Sequence, residues 1–384
     1  MKRSTDRILT THVGSLPRAP SLAALLVKQE AGETVDAAEL HREMDAAVKH
    51  VVAKQIEAGV DVINDGEQPR VGFQTYVPLR MKGFGGASVR KPPTDMMAHA
   101  DMFEMMMRRF PGSGKISNAP QAVAEITYED LSAAQEELDL FDAATAGTTA
   151  DERFMTAPSP GIIATTMSNA HYDSHEAYVF ALARQMKKEY ALIAKRGLVL
   201  QVDSPDLAME RTMMFQDKSV SEFLDIARMH VAALNEAIAD IPREQVRLHC
   251  CWGNWEGPHV HDVPLADILP VLYGAHVGGL SLEFANPRHQ HELAAFKAHP
   301  FPSDKVLLPG VLDSTTNYVE HPEVVANRIC AAVEAVGDRT RVIASTDCGF
   351  GTFAGYEFIA PSIVWAKLRA MADGAAIATK RLAD

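Results

Sequence analysis

Short apolar runs alternate with longer stretches of helical periodicity along most of this chain, and that alternation limits its fold more than any other feature. Apolar residues recurring every third or fourth position mark an amphipathic helix, whereas a brief continuous apolar run bounded by turn residues marks a buried strand. Strand-like runs are predicted at 8–18 (a strand and its loop), 60–67, 161–167, 198–203, 246–253, 279–283, 306–313 and 341–348. Helical patterns follow at about 36–58, 174–196, 219–240, 265–273, 288–298, 322–336 and from 361 onward. Eight strands, each followed by a helical pattern, point to parallel βα units closed into a (β/α)8 TIM barrel. An open doubly wound sheet is the alternative. It would be expected to carry a G-x-G-x-x-G turn after a strand, and none is present.

Residues 68–158 break the rhythm, so the expectation is a single barrel domain over 1–384 with an insertion or lid after the second strand. Within it, 96–107 is rich in methionine. Such a cluster either packs as a helix core or lines an adaptable apolar pocket. A chain of 384 residues suits one large barrel or two average domains.

The net charge of −13, with no dense Lys/Arg run, argues against a nucleic-acid partner. No apolar stretch reaches the roughly 18–20 residues that span a bilayer, and the first residues lack a secretory apolar core. A cytoplasmic protein with no membrane partner is expected. The cysteines Cys250, Cys251, Cys330 and Cys348 are too few and too uneven for a disulfide framework, which leaves thiols or metal ligands.

Polar residues gather at one end of the predicted strands. Ser15, Glu67, Asp203, His249, Cys251, Glu283, Asp313 and Cys348 all lie at or just past a strand's C-terminal end, the rim on which barrel active sites are built. His249 and Cys251 are two residues apart, so an extended chain turns both to one face and Cys250 to the other. With Glu283 and Cys348 they make a set of one nitrogen, two sulfurs and one oxygen, which suits zinc and not magnesium or calcium. The pairs His259/His261 and His289/His291 have the same spacing but lie in polar loop or helix-start contexts. Cys-His nucleophilic catalysis from His249 and Cys251 is the competing chemistry. There is no G-x-S-x-G elbow and no P-loop.

The ordered series Thr11-His12-Val13-Gly14-Ser15-Leu16-Pro17-Arg18, Asp65-Gly66-Glu67, Val202-Asp203-Ser204-Pro205, His249-Cys250-Cys251, Glu283, Gly310-Val311-Leu312-Asp313 and Asp347-Cys348-Gly349 resembles the catalytic C-terminal half of cobalamin-independent methionine synthase over nearly the whole chain. The resemblance implies a (β/α)8 barrel and zinc held by His249, Cys251, Glu283 and Cys348. It also implies homocysteine contacts from Val13, Ser15, Glu67 and Asp203, with Glu67 and Asp203 as the catalytic acids. Two features depart from the methylfolate-using members. Thr315 stands where they carry a proton-donating His, and no Trp occurs between Gly161 and Gly197. The implied function is zinc-dependent alkyl transfer, most simply of methyl to homocysteine, with the donor open. The alternatives are addition of a thiol such as coenzyme M to an epoxide or other alkyl electrophile, as in a single-barrel relative of the family, and a non-catalytic zinc-dependent binding protein. The expected partners are a small-molecule thiol and a methyl or alkyl donor; the oligomeric state is left open.

Overall fold

The computed structural model describes residues 1–109 and 119–383. In chain order its elements are β1 (Leu9–Thr10), α1 (Pro20–Glu30), α2 (Ala37–Ala58), β2 (Val62–Ile63), α3 (Val77–Arg80), β3 (Lys82–Gly85), α4 (Thr94–Ala98), α5 (Ala100–Arg109), β4 (Gln121–Thr127), α6 (Ser132–Thr145), β5 (Glu152–Pro158), α7 (Pro160–Thr166), α8 (His175–Lys195), β6 (Val199–Asp203), α9 (Val220–Ala237), β7 (Val246–His249), α10 (Leu265–Tyr273), β8 (Gly279–Leu282), β9 (Val306–Leu312), α11 (Pro322–Val336), β10 (Ile343–Thr346) and α12 (Pro361–Arg381). A 3₁₀ helix, Gln290–Lys297, follows β8 where the sequence predicts an α-helix.

Eight parallel strands form one sheet in the order β1-β10-β9-β8-β7-β6-β5-β2. Its ends meet: Asp61 N donates to Thr10 O at 3.2 Å, and Thr11 Oγ1 donates to the Val62 carbonyl at 2.9 Å. The result is a (β/α)8 barrel with its helices in an outer ring. The register aligns Asp203 with His249 and His249 with Ser281 across neighbouring strands. Strand ends that bear the polar residues therefore lie side by side at one rim.

The helices follow from local chemistry. Asp36 caps α2 by accepting from Glu39 N, and Gly59 ends it at φ 84°, a left-handed conformation that costs glycine little. Leu40, Met44, Val48, Val51, Val52 and Ala58 are buried along one face. Each large aliphatic side chain so buried contributes roughly 1.5–3 kcal/mol.

The third strand is displaced from its predicted place. Of the predicted strand 161–167, residues 161–166 belong to α7, because Ser159 accepts from Ile162 N and Pro160 occupies the first helical position, both signals for a helix start. The strand is β5, Glu152–Pro158, which the sequence reading assigned to the insertion. It pairs with β6 from Phe154↔Val199 to Pro158↔Asp203. The barrel resumes even earlier, at α6, which packs against α2 and α8 in the outer ring. The excursion from the barrel is thus carried by α3, β3, α4, α5 and β4, with β3 and β4 forming an antiparallel ribbon. The predicted insertion also covers 110–118, which lie outside the described residues.

A buried ionic network ties the excursion down. Arg70 gives hydrogen bonds to Glu137 at 3.1–3.3 Å and to the carbonyl and hydroxyl of Thr156 at 2.9 and 3.0 Å. Arg80 joins Glu137 to Glu189, and Tyr128 donates to Glu189 at 2.6 Å. Burial alone would raise the Glu137 carboxyl, but Arg70 and Arg80 together hold it below its usual range.

Candidate functional site

The strand ends open into a cavity of about 430 Å³, within the range of small-molecule sites. Its floor is lined by Val13, Ser15, Glu67, Asp203, His249, Cys251 and Cys348, seven of the eight metal and homocysteine residues that the family resemblance implies. Glu283 is not among the lining residues.

His249 ends β7 and Cys251 follows it by two residues. Their ligand atoms and the sulfur of Cys348, just past β10, lie within 4.8 Å of one another. The two sulfurs are 3.7 Å apart. His249 is 2% exposed, and neither ring nitrogen has a hydrogen-bond partner. A buried imidazole with two unsatisfied nitrogens is costly unless something coordinates it. Burial pushes its pKa down to about 3, which leaves the neutral ring that a metal binds. The contact with Cys348, then burial, pushes the Cys251 thiol well up. A neutral nitrogen donor and two adjoining sulfurs are a donor set that would suit zinc.

Glu283 lies beside this group of three and outside it. Its Oε1 accepts from Trp252 N at 2.9 Å and its Oε2 from Asn286 Nδ2 at 2.9 Å. Burial, with Cys251 and Asp347 adding, holds its carboxyl well above the usual range. Asp347 shapes the turn that carries Glu283, accepting from the backbone N–H groups of Phe284, Ala285 and Asn286 at 2.8–2.9 Å. Only glycine fits opposite: a Cβ on Gly310 would lie 2.0 Å from Asp347 Oδ1.

Across the floor stand the two acids. Glu67 adopts φ 55°, an uncommon conformation for a residue with a side chain. Its Oε1 accepts from Thr156 Oγ1 at 2.9 Å, and its Oε2 is buried without a partner. Asp203 Oδ1 accepts from Gln201 Nε2 at 2.7 Å; the same amide nitrogen donates to the Val13 carbonyl. Burial raises both carboxyls, Asp203 well above its usual range with the Glu67 charge adding. Gly14 allows β1 to approach: a Cβ there would lie 2.6 Å from Thr156 Cγ2 and 2.7 Å from Glu67 Oε1, at φ +143°. Ser15 Oγ accepts from Gly351 N at 3.3 Å.

Glu67, Asp203, His249 and Cys251 are each biased to the neutral form. A positive charge beside Cys251 would favour its thiolate and keep His249 neutral, and one between Glu67 and Asp203 would favour their carboxylates.

Asp313 serves the fold instead. Its Oδ1 accepts from Thr315 N and Thr315 Oγ1, both at 2.8 Å. The histidines of the competing pairs also have other partners. His259 and His289 share Asp262, His289 also meets Glu292, and His261 meets Asp95; His291 is absent from the cluster of candidate metal ligands. Sequence reasoning missed Gln201, Thr156 and Arg247, which orient the floor. Arg247 donates to Gln201 Oε1 at 2.7 Å and lies 3.7 Å over the Phe154 ring. The signal was available: Gln201/Asp203 and Arg247/His249 are i, i+2 pairs, so they share the inward face of their strands.

Residues 8–376 match the model of the catalytic domain of cobalamin-independent synthases. The chain belongs to the cobalamin-independent methionine synthase family. Its relatives include a methionine synthase from Saccharolobus solfataricus, 25% identical over 97% of this chain and 95% of that protein, and one from Thermococcus kodakarensis, 26% identical over 97% and 94%. A B12-independent methionine synthase from Shewanella sp. W3-18-1, solved in complex with selenomethionine, shares the fold at a TM-score of 0.71 and 21% identity, covering 98% of this chain and 99% of the other. Among the described residues, no helix is long and apolar enough to cross a membrane.

Proposed function

We propose that this member of the family is a cytoplasmic, zinc-dependent transferase that moves an alkyl group, most simply methyl, onto the sulfur of homocysteine. One observation carries the reading. An uncharged, unpartnered His249 stands with two thiols at one side of a cavity floor, and two carboxyls biased to neutrality stand at the other. That is a seat for a cation joined to a seat for an ammonium, at the two ends of a small amino-acid thiol.

His249, Cys251 and Cys348 would hold the zinc, with Glu283 beside them as the fourth candidate ligand. When bound, zinc supplies the positive charge that converts a thiol to a nucleophilic thiolate at neutral pH. The free Oε2 of Glu67 and the Asp203 carboxylate receive the ammonium. Thr156 and Gln201 fix the direction of each acid, and Arg70 fixes Thr156 in turn. Ser15 and Val13 close the wall against the substrate's carbon chain. Held at both ends, the sulfur faces the rest of the cavity, where the electrophile must sit, so orientation supplies much of the rate. The part of the excursion formed by α4 and α5 serves as the lid.

A second reading keeps the zinc and the thiol and changes the electrophile to an epoxide, which the apolar outer cavity would admit. Product analysis separates the two. Zinc-loaded protein given homocysteine and a methyl donor should form methionine, and Cys348→Ser should lose both bound zinc and turnover. A thioether formed from an epoxide, with no methylated thiol from any donor, would overturn methyl transfer.

A further inference from the structure

Above its polar floor the cavity changes character. Its outer wall presents Phe73, Phe353, Trp255, Tyr356, Met106 and Met209 among its apolar side chains. The rings of Phe73 and Phe353 lie 6.0 Å apart with their planes at 59°, and Tyr356 meets Phe358 edge to face at 4.7 Å, so these lining rings form two packed aromatic pairs. Two cations border it, and each has a carboxylate: Arg90 pairs with Glu210, and Lys91 lies 3.6 Å from Asp217. Among the described lining residues the two acids, Glu67 and Asp203, are on the floor.

This wall constrains the leaving group. In the transfer, a new S–C bond forms at the methyl carbon, the old C–X bond breaks, and its electron pair departs with X. From an uncharged donor, X leaves as an anion unless it is protonated as it departs; the lining carboxyls that could protonate it are on the floor, and Arg90 and Lys91 already have carboxylate partners. From a sulfonium or ammonium donor, X leaves as a neutral thioether or tertiary amine, and the thiol proton passes to solvent. Aromatic faces also attract an onium cation, and methionine walls adapt to its alkyl groups.

We propose that the outer half of the cavity seats an onium methyl donor, a sulfonium or quaternary ammonium compound bound by aromatic faces. The inference rests on the thiol-methylation reading and adds the class of its second substrate.

The test uses the zinc-loaded full chain. Choline and its uncharged carbon isostere, 3,3-dimethylbutan-1-ol, are titrated against tryptophan fluorescence. Choline should bind about tenfold more tightly, and Trp255→Leu and Phe73→Leu, each checked for folding by circular dichroism, should bring the two affinities together; in Trp255→Leu, competition with a fluorescent cation replaces the intrinsic signal. Equal affinities in the unmodified protein would overturn the proposal. Trimethylsulfonium and tetramethylammonium are then each supplied with homocysteine. Methionine with an equal amount of dimethyl sulfide identifies a sulfonium donor, and methionine with trimethylamine an ammonium donor. Methionine from methyltetrahydrofolate but from neither onium would overturn the donor class while leaving homocysteine methylation standing. Absence of any spectral response to homocysteine in cobalt-loaded protein would instead remove the reading beneath it.

Discussion

Replacing Glu67 by Gln separates binding from folding in a way only a substrate-facing acid would show. Gln keeps the shape of the side chain and its contact with Thr156 Oγ1, 2.9 Å away, but removes the charge from the buried, unpartnered Oε2. A hydrogen bond to a charged group contributes roughly 1.5–3 kcal/mol, and loss of one partner from a buried charged pair costs about 2–5 kcal/mol. A loss of about 3 kcal/mol corresponds to homocysteine binding weakened on the order of a hundredfold. Calorimetric titration should show that loss for homocysteine and little change for 4-mercaptobutyrate, which has the thiol and carboxylate but no ammonium. Stability should move the other way. Burial raises the Glu67 carboxyl in the folded chain, so its contribution is fully present below the unfolded value and is lost as pH rises through the folded one. The Gln variant escapes that loss and should melt no lower than the parent at pH 8. Unchanged homocysteine affinity, or equal losses for both thiols, would refute the assignment of Glu67 to the ammonium.

Two other perturbations probe the frame around the site. Arg70→Met leaves Glu137 buried with Arg80 as its remaining cation, and breaking such a pair costs about 3–5 kcal/mol, which urea unfolding would register as a lower midpoint. His289 is pushed up to about 10 from 6.5, because Asp262 and Glu292 overcome its burial. Its contribution is therefore full below pH 6.5 and lost as pH rises toward 10, by about 4–5 kcal/mol at most. Thermal melts of His289→Gln should be flatter than those of the parent across that window.

What the sequence revealed depended on how local each signal was. Strand alternation alone separated Cys250 from its neighbours, and the structure buries Cys250 in the outer core while Cys251 lines the cavity. The lengths of α10 and α11 followed directly from apolar spacing and flanking prolines. The third strand was obscured because β5 begins with Glu-Arg, which reads as polar, while the apolar segment just after it is turned into α7 by Ser159 and Pro160. Barrel strands as short as β1 and β2, two residues each, carry little pattern of their own; closure with the neighbouring strand defines them. The methionines of 96–107 divide between roles that helical spacing could not separate: Met96, Met106 and Met107 line the cavity, whereas Met97 is 64% exposed. Strand alternation places Gln201 and Arg247 on the inward face, but their contacts with each other and with Val13, and those of Thr156 with Glu67 and Arg70, join segments that only the folded barrel brings together.

The central claim is that a metal at His249, Cys251 and Cys348 receives the sulfur of homocysteine. Cobalt-substituted protein tests it most directly, because sulfur ligation gives an intense charge-transfer band. The account predicts one bound cobalt, a band that strengthens when homocysteine is added, and loss of that response in Cys348→Ser. A parent protein that binds no cobalt, or whose band is indifferent to homocysteine at saturating concentration, would contradict it.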